Sequence, residues 1–247
     1  MPFEVLVLGV GDTFSEVHYP TSLLLMHEGF HLAIDCPDMY RRVLHDAREK
    51  SGRDVRLSQI DDLLLTHVHG DHMNGLEGAG FFKHFAQGRR LRLHCAPEVH
   101  EGLWEHRLRL SMGQLYDGKT LVPKTMEHYF EHHPIPWSVP TQIGPFTITT
   151  RLTKHHVPTS ALRVEAGGRI LGYSCDTAFD PHLIEWLASA DFIIHETNLG
   201  PAHSAAEELN CLPASLRDKM GLVHYPDPFD VDGQHIRVLR EGEVLEV

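Results

Sequence analysis

The chain has 247 residues, 42% hydrophobic and 23% charged, which are ordinary globular values that exclude wholesale disorder and fibrous classes. With 22 basic against 34 acidic residues the formal net charge is -12, which argues against a surface built for long, nonspecific contact with a phosphate backbone. Histidine departs from this ordinary profile: there are 21, and only their spacing can separate metal ligands from packing residues.

A single domain over residues 1–247 is the simplest reading of this length, since one two-sheet sandwich can occupy it. In chain order, Val5–Leu8, Ser22–Met26 and His31–Asp35 predict strands, with Glu28-Gly29 as the turn between the second and third. From Asp38 to Lys50, residues Met39, Val43, Leu44 and Ala47 share one helical face. Asp61–Thr66 reads as a buried strand ending at a histidine cluster, and Leu91–Cys95 as another. A helix follows from Pro97 to about Leu110, with proline in its first turn. Pro123 to Pro145 holds five prolines with His128, His132 and His133, and is expected to be a long irregular loop. Beyond it, Phe146–Leu152, Leu162–Glu165, Ile170–Ser174 and Phe192–Thr197 read as strands. A helix starts at Asp180-Pro181 and runs to Ser189. Ser204 with Glu207 suggests a capping box, Leu222–His224 a short strand, and Ile236–Leu239 with Val244–Val247 a terminal hairpin.

Cys36, Cys95, Cys175 and Cys211 stand far apart without a C-x-x-C pair, and read as free thiols in a reducing compartment. The opening MPFEVLVLGVGD lacks a basic leader and a cleavage site, and no apolar run reaches the length of a membrane span. The expectation is a cytoplasmic protein that does not engage a membrane.

The strongest chemical signal is Thr66-His67-Val68-His69-Gly70-Asp71-His72, an H-x-H-x-D-H pattern issuing from the apolar strand Leu63-Leu64-Leu65. Three imidazoles and a carboxylate in one turn supply two sets of nitrogen and oxygen donors to neighbouring metals. One loop is not enough for a two-metal site, so later strand ends must add ligands. His155 follows the strand ending at Leu152, Asp176 follows Ile170–Ser174, and His224 ends Leu222-Val223. His156, next to His155, is an alternative at that position.

This order of ligands resembles the metallo-β-lactamase superfamily. Leu8-Gly9-Val10-Gly11 resembles its opening glycine turn, Ile34-Asp35-Cys36 its I-D-x-G element and Gly172–Thr177 its Y-x-G-D-T segment. The resemblance implies an α/β fold, the four-layer αβ/βα sandwich, with two metal ions. One ion would take His67, His69 and His155, the other Asp71, His72 and His224, with Asp176 and a hydroxide bridging. Zinc is the first choice, and the same donors are compatible with manganese or iron.

Two further segments resemble the branch that holds ribonuclease Z, the tRNA 3′-end-processing endonuclease, and cyclic phosphodiesterases. His155-His156-Val157-Pro158 with Leu162-Arg163-Val164 is similar to its E-H-G-V…Y-R-V stretch, which favours His155 as ligand and leaves His156 beside the site or on the surface. His195-Glu196-Thr197 is similar to H-E-A-T, which implies His195 as proton donor, with Glu196 fixing its tautomer or that of a ligand histidine. Asp71 is counted as catalytic besides being a ligand. Cys175 should face away from the metals if the chain is extended there. Asp35 reads as a carboxylate supporting a ligand or as a turn former, and Asp12 and Thr13 as lining the cleft.

The resemblance implies a metal-dependent hydrolase. Only twenty residues separate His155 from Asp176, where tRNA-processing enzymes carry a long arm, so a small phosphodiester such as a cyclic nucleotide or cyclic phosphate is expected rather than long nucleic acid. The cysteine-rich zinc cluster of the phosphonate-pathway cyclic phosphodiesterases is not in this sequence. The alternative is an acyl hydrolase of the lactonase or thioesterase type, although Phe179 stands where lactonases usually have tyrosine. A third reading is an iron-binding redox module, although diiron members typically put glutamate where this chain has His69. A small anionic substrate is the expected partner, because bound metal inverts the local sign, and a homodimer is compatible with the sequence.

Overall fold

The computed structural model describes residues 2–247. Period-two alternation sorts its strand side chains into layers. In β1 (Glu4–Gly9), Val5 and Val7 turn one way and Leu6 and Leu8 the other. β2 (Ser22–His27) and β3 (Phe30–Ile34) repeat the division, with Leu23, Leu25, Leu32 and Ile34 opposed to Leu24 and Ala33. Strands apolar on both faces must be covered on both sides. One face meets helix α1 (Tyr40–Ser51) through Tyr40, Val43, Leu44 and Ala47. The other meets a second sheet through Phe146, Ile148, Leu162, Val164, Leu171 and Tyr173. The β2–β3 turn has positive φ at both Glu28 (51°) and Gly29 (79°), the two-residue geometry that matches strand twist.

The first sheet continues through β4 (Asp62–Leu64) and β5 (Leu91–Cys95), each parallel to its predecessor. β6 (Gln114–Tyr116) and β7 (Leu121–Pro123) form a small separate hairpin, and β8 (Phe130–Pro134) ends the first sheet beside β5. The second sheet contains β9 (Thr141–Ile143), β10 (Phe146–Leu152), β11 (Ser160–Ala166), β12 (Arg169–Tyr173), β13 (Phe192–Glu196), β14 (Met220–Val223) and β15 (Arg237–Val238). β16 (Val244–Glu246) returns to the first sheet. The orders are β16-β1-β2-β3-β4-β5-β8 and β15-β14-β13-β12-β11-β10-β9.

Helices α2 (Gly70–Met73), α3 (Leu76–Phe81), α4 (Pro97–Glu101) and α5 (Arg109–Met112) join α1 outside the first sheet, where Met73, Leu76, Ala79, Val99 and Met112 enter the same core. Outside the second lie α6 (Pro181–Leu187), α7 (Ala206–Asn210) and α8 (Ala214–Arg217), with Leu183, Leu187 and Leu209 packed on Ile193, Met220 and Leu222. The layers are therefore αβ/βα, as the resemblance implied. No helix among the described residues is long and apolar enough to cross a membrane.

Four local expectations change. The segment 123–145 is structured: Met126–His128 make one turn of 3-10 helix, Phe130–Pro134 pair with β5, and Thr141–Ile143 pair with β10. Phe130 is buried in the core, and Pro134 closes an edge strand, where a missing N–H is tolerated. The helix expected from Pro97 is interrupted by a π-helical stretch, Trp104–Leu108, between α4 and α5. The terminal strands do not form a hairpin with each other. β15 pairs with β14 in one sheet and β16 with β1 in the other, while Leu239, Leu245 and Val247 all fill the core between the sheets. Ser204 makes no capping box either: Ala205 precedes α7, and the Ser204 hydroxyl donates to the Thr177 carbonyl at 3.0 Å.

Candidate metal centre

β12, β13 and β14 run parallel, and β10 runs the same way through two antiparallel steps, so their C-terminal ends share one edge. From that edge come His155 after β10, Asp176 after β12, His195 and Glu196 at the end of β13, and His224 after β14. The loop after β4 arrives from the other sheet and is tied to this edge by Ser160 N–H donating to Thr66 O at 3.1 Å. Backbone strain collects here: Asp35 (φ 64°), Cys175 (φ 49°) and His224 (φ 64°) are left-handed without being glycine. Each such residue costs about 1–3 kcal/mol and persists where the surroundings enforce it.

The donor atoms converge in two sets. His69 Nδ1 stands 3.2 Å from His67 Nε2 and 3.1 Å from His155 Nε2. Asp176 Oδ2 lies 3.7 Å from His67 Nε2 and 3.6 Å from His155 Nε2. Around the second set, His72 Nε2 is 3.5 Å from Asp71 Oδ2 and 3.5 Å from Asp176 Oδ1, while His224 Nε2 is 3.3 Å from Asp176 Oδ2. Atoms of His67, His69, His155 and Asp176 lie within 4.8 Å of one another, as do those of Asp71, His72 and His224, so either set could hold a metal ion. Chemistry favours that use, because His72 Nε2 and Asp176 Oδ1 are buried without a hydrogen-bond partner.

The opposite ring nitrogens fix the imidazoles. His72 Nδ1 donates to Asp35 Oδ2 at 2.8 Å, and Asp35 Oδ1 accepts Thr66 N–H at 2.8 Å. His67 Nδ1 meets Thr66 Oγ1 at 3.0 Å, His155 Nδ1 donates to Ala202 O at 3.1 Å, and His224 Nδ1 meets Thr21 Oγ1 at 3.3 Å. Such partners hold a ligand's tautomer and orientation. Asp35 thus supports a donor and also turns the chain.

Burial sets most of the proton affinities. It pushes His67 well below the usual imidazole range and lowers His69 and His224, and it takes His155 down to about 4, which keeps these rings in the neutral form that ligates. For His72 burial acts the same way, but the Asp176 and Asp35 carboxylates outweigh it and raise the ring well above the usual value. Burial would also raise Asp176, yet the surrounding imidazoles, His224 first, hold it well below the carboxylate range.

His155 thus joins the cluster, whereas His156 is exposed on the pocket wall, its ring 6.2 Å from that of His69. Cys175 is not in an extended segment, so alternation does not apply to it. Its buried thiol lies behind His67, with Sγ 3.8 Å from Nδ1, and burial raises its pKa well above the usual value. His195 is not brought into the cluster. It is buried, donates from Nδ1 to the Glu196 carbonyl at 2.7 Å, and is pushed down to about 4 by burial. The residue that sequence reasoning missed is His203. Its ring centroid lies 5.2 Å from that of His155 and 5.5 Å from that of His224, and its Nδ1 donates to Glu196 Oε1 at 3.2 Å. Burial opposes charge on His203, but Glu196 outweighs it and raises the ring's pKa. Burial also raises Glu196, to about 7. No local pattern in the sequence marks His203; its loop is anchored by the Ser204 hydroxyl, which donates to the Thr177 carbonyl rather than starting a helix.

The cluster floors a cavity of about 590 Å³ whose walls include Asp12, Thr13, His156 and Asn198. That is small-molecule size. Fold and donor set together define a metallo-β-lactamase-fold protein with a His/Asp centre able to bind metal. The metallo-β-lactamase-fold protein YhfI from Bacillus subtilis aligns over 100% of both chains with a TM-score of 0.76 at 19% identity. Human tRNase Z, short form, aligns over 98% of each chain with a TM-score of 0.70 at 17% identity. The family model described as Anti-Pycsar protein Apyc1 matches residues 3–244. The Anti-Pycsar protein Apyc1 of Paenibacillus sp. (strain J14) is 30% identical over 236 residues, covering 93% of this chain and 92% of the relative. The chain belongs to the Anti-Pycsar protein Apyc1 family.

Proposed function

We propose that this protein is a phosphodiesterase that opens a small phosphodiester, a cyclic nucleotide or cyclic phosphate, and that it shares the anti-Pycsar role its relatives are named for. The observation that carries this reading is the position of Asp176 between two donor sets at the floor of a small-molecule cavity. His67, His69 and His155 would hold one divalent ion, and Asp71, His72 and His224 the other, with Asp176 shared. Zinc suits these donors, and manganese and iron are the alternatives. Bound there, the ions would supply Lewis acidity and would lower the pKa of water enough for its deprotonated form to be available as nucleophile at neutral pH.

The chain's own groups do the rest. Asp71 orients the attack from the cavity wall, and Asp35, Thr66 and Thr21 keep the imidazoles aligned. His203, whose Nδ1 is held by Glu196, directs its other nitrogen to the cavity and delivers a proton to the leaving alkoxide. His203 takes this role in place of His195 because it stands at the cavity wall. The substrate is one small anion, in keeping with the cavity size and the absence of an arm between His155 and Asp176.

Metal analysis of the purified protein, run with bis(p-nitrophenyl) phosphate, cyclic AMP, a lactone and a thioester, tests the reading. Two equivalents of metal with turnover of the phosphodiesters alone is the expected result. Turnover of only the lactone or thioester would replace it with the acyl-hydrolase reading.

A further inference from the structure

Two large apolar side chains stand in solvent at the mouth of the metal-centre cavity: Phe14, 85% exposed, and Leu199, 76% exposed. They come from opposite halves of the chain, Phe14 from the loop after β1 and Leu199 from the loop after β13. One buried carboxylate ties the two loops together. Asp12 Oδ1 accepts the Phe14 N–H at 2.9 Å, and Asp12 Oδ2 accepts Asn198 Nδ2–H at 3.1 Å. Asn198 Oδ1 in turn accepts the Leu199 N–H at 2.7 Å. The loop that carries Asp12 and Phe14 folds back closely on itself at the glycine turn, where a Cβ on Gly9 would lie 2.1 Å from the Pro20 carbonyl and one on Gly11 2.7 Å from His18 Cβ.

The cavity therefore has a metal-ligating floor of His69, Asp71, Asp176 and His224 and large apolar side chains at its rim. A phosphate held by metal at that floor would leave the remainder of its molecule between Phe14 and Leu199. The side chains contribute nothing to the core, and their exposure is unfavourable until something apolar covers them. Asp12 behind them disfavours a second anionic group at the rim. What fits is a flat, uncharged ring with a face to offer an aromatic side chain.

We propose that Phe14 and Leu199 are the jaws of a clamp for the nucleobase of a cyclic mononucleotide, with Asp12 and Asn198 as positioning residues. The clamp rests on the phosphodiesterase reading above. It acts on binding: it holds the base while the phosphodiester meets the metal centre.

The test compares steady-state kinetics on cyclic AMP and on base-free ribose 3′,5′-cyclic phosphate. Wild type should show the lower KM for cyclic AMP. Phe14→Ala should raise that KM by roughly 5- to 150-fold, the range of base–aromatic stacking, with kcat little changed. Leu199→Ala should act in the same direction, Phe14→Trp should restore the wild-type KM, and none of the three should alter kinetics on the base-free substrate. Both side chains are exposed, so folding is not at stake. A wild-type enzyme that hydrolyses both substrates with equal KM, or a Phe14→Ala effect equal on both, overturns the clamp and leaves the phosphodiesterase reading standing. A wild-type enzyme that hydrolyses neither overturns both.

Discussion

The two halves of the molecule bring donors to the metal centre in different ways. The first half places His67 and His69 on the loop after β4 and Asp71 and His72 in the short helix α2 that follows directly, so one local stretch of backbone decides their spacing. The second half sends His155, Asp176 and His224 from the ends of three different strands, and they meet only once those strands pair. A compact motif carries its geometry with it, whereas scattered donors depend on the whole sheet. Asp176 belongs to both designs, since its two oxygens face donors from each half.

The sharpest way to break this comparison is therefore Asp176→Ala. It should remove bound metal and activity together, with a loss of more than about a hundredfold in metal affinity, the upper end for partners that only support a ligand. Elemental analysis and turnover measured on the same preparation check it, and normal metal content with full turnover would mean that the halves do not meet at Asp176.

The next effect separates the two histidines near β13. His203→Ala should keep its metals and lose on the order of a hundred- to ten-thousand-fold on an alkyl phosphodiester, but far less on a p-nitrophenyl ester, whose leaving group needs no proton. His195→Ala, whose side chain is buried and does not line the cavity, should show no such contrast between substrates. Equal losses on both substrates for His203→Ala would reduce it to an orienting role.

A smaller effect probes the support behind the first-half loop. Asp35→Asn leaves His72 Nδ1 without its carboxylate partner and should weaken metal binding by roughly 10- to 100-fold. A chelator competition titration measures this, and an unchanged affinity would show that the loop backbone alone orients His72.

The smallest effect lies away from the metal centre, on β8. Burial, together with the charges of His100, His133 and His94, lowers His132 to about 4, and its ring stacks on His100 at 3.5 Å. The unfolded value is about 6.5. Between these values the unfolded chain takes up a proton that the folded chain refuses, so stability present above pH 6.5 is lost as pH falls toward 4. Denaturant melts at pH 7 and pH 5 should show a smaller drop for His132→Gln than for wild type. The same drop in both would mean that His132 titrates normally in the fold.

Much of this was legible in the sequence, for identifiable reasons. The H-x-H-x-D-H loop is local, so its donor content is visible wherever the chain is read, and the strand before it is apolar because it is buried on both faces. Alternation in β1 to β3 and Asp180 with Pro181 at the start of α6 are likewise short-range features. His155 over His156 rested on resemblance, and the bond from its Nδ1 to Ala202 gives the physical basis for the choice.

What the sequence determined by itself was the donor set of one loop, the apolar strands and the turns between them, because each depends on neighbours within a few residues. Tertiary structure decided which partner each isolated element would find. The prolines around Phe130–Pro134 suggested a loop, but an edge strand needs hydrogen bonds on one side only, and β5 offered them. Ile236–Leu239 and Val244–Val247 looked like a hairpin, yet the strands that form there bury their apolar neighbours by joining different sheets. His203 carries no local signature of its role. It reaches the cavity because Glu196, Thr177 and Ser204 form hydrogen bonds that are possible only after β12 and β13 have paired.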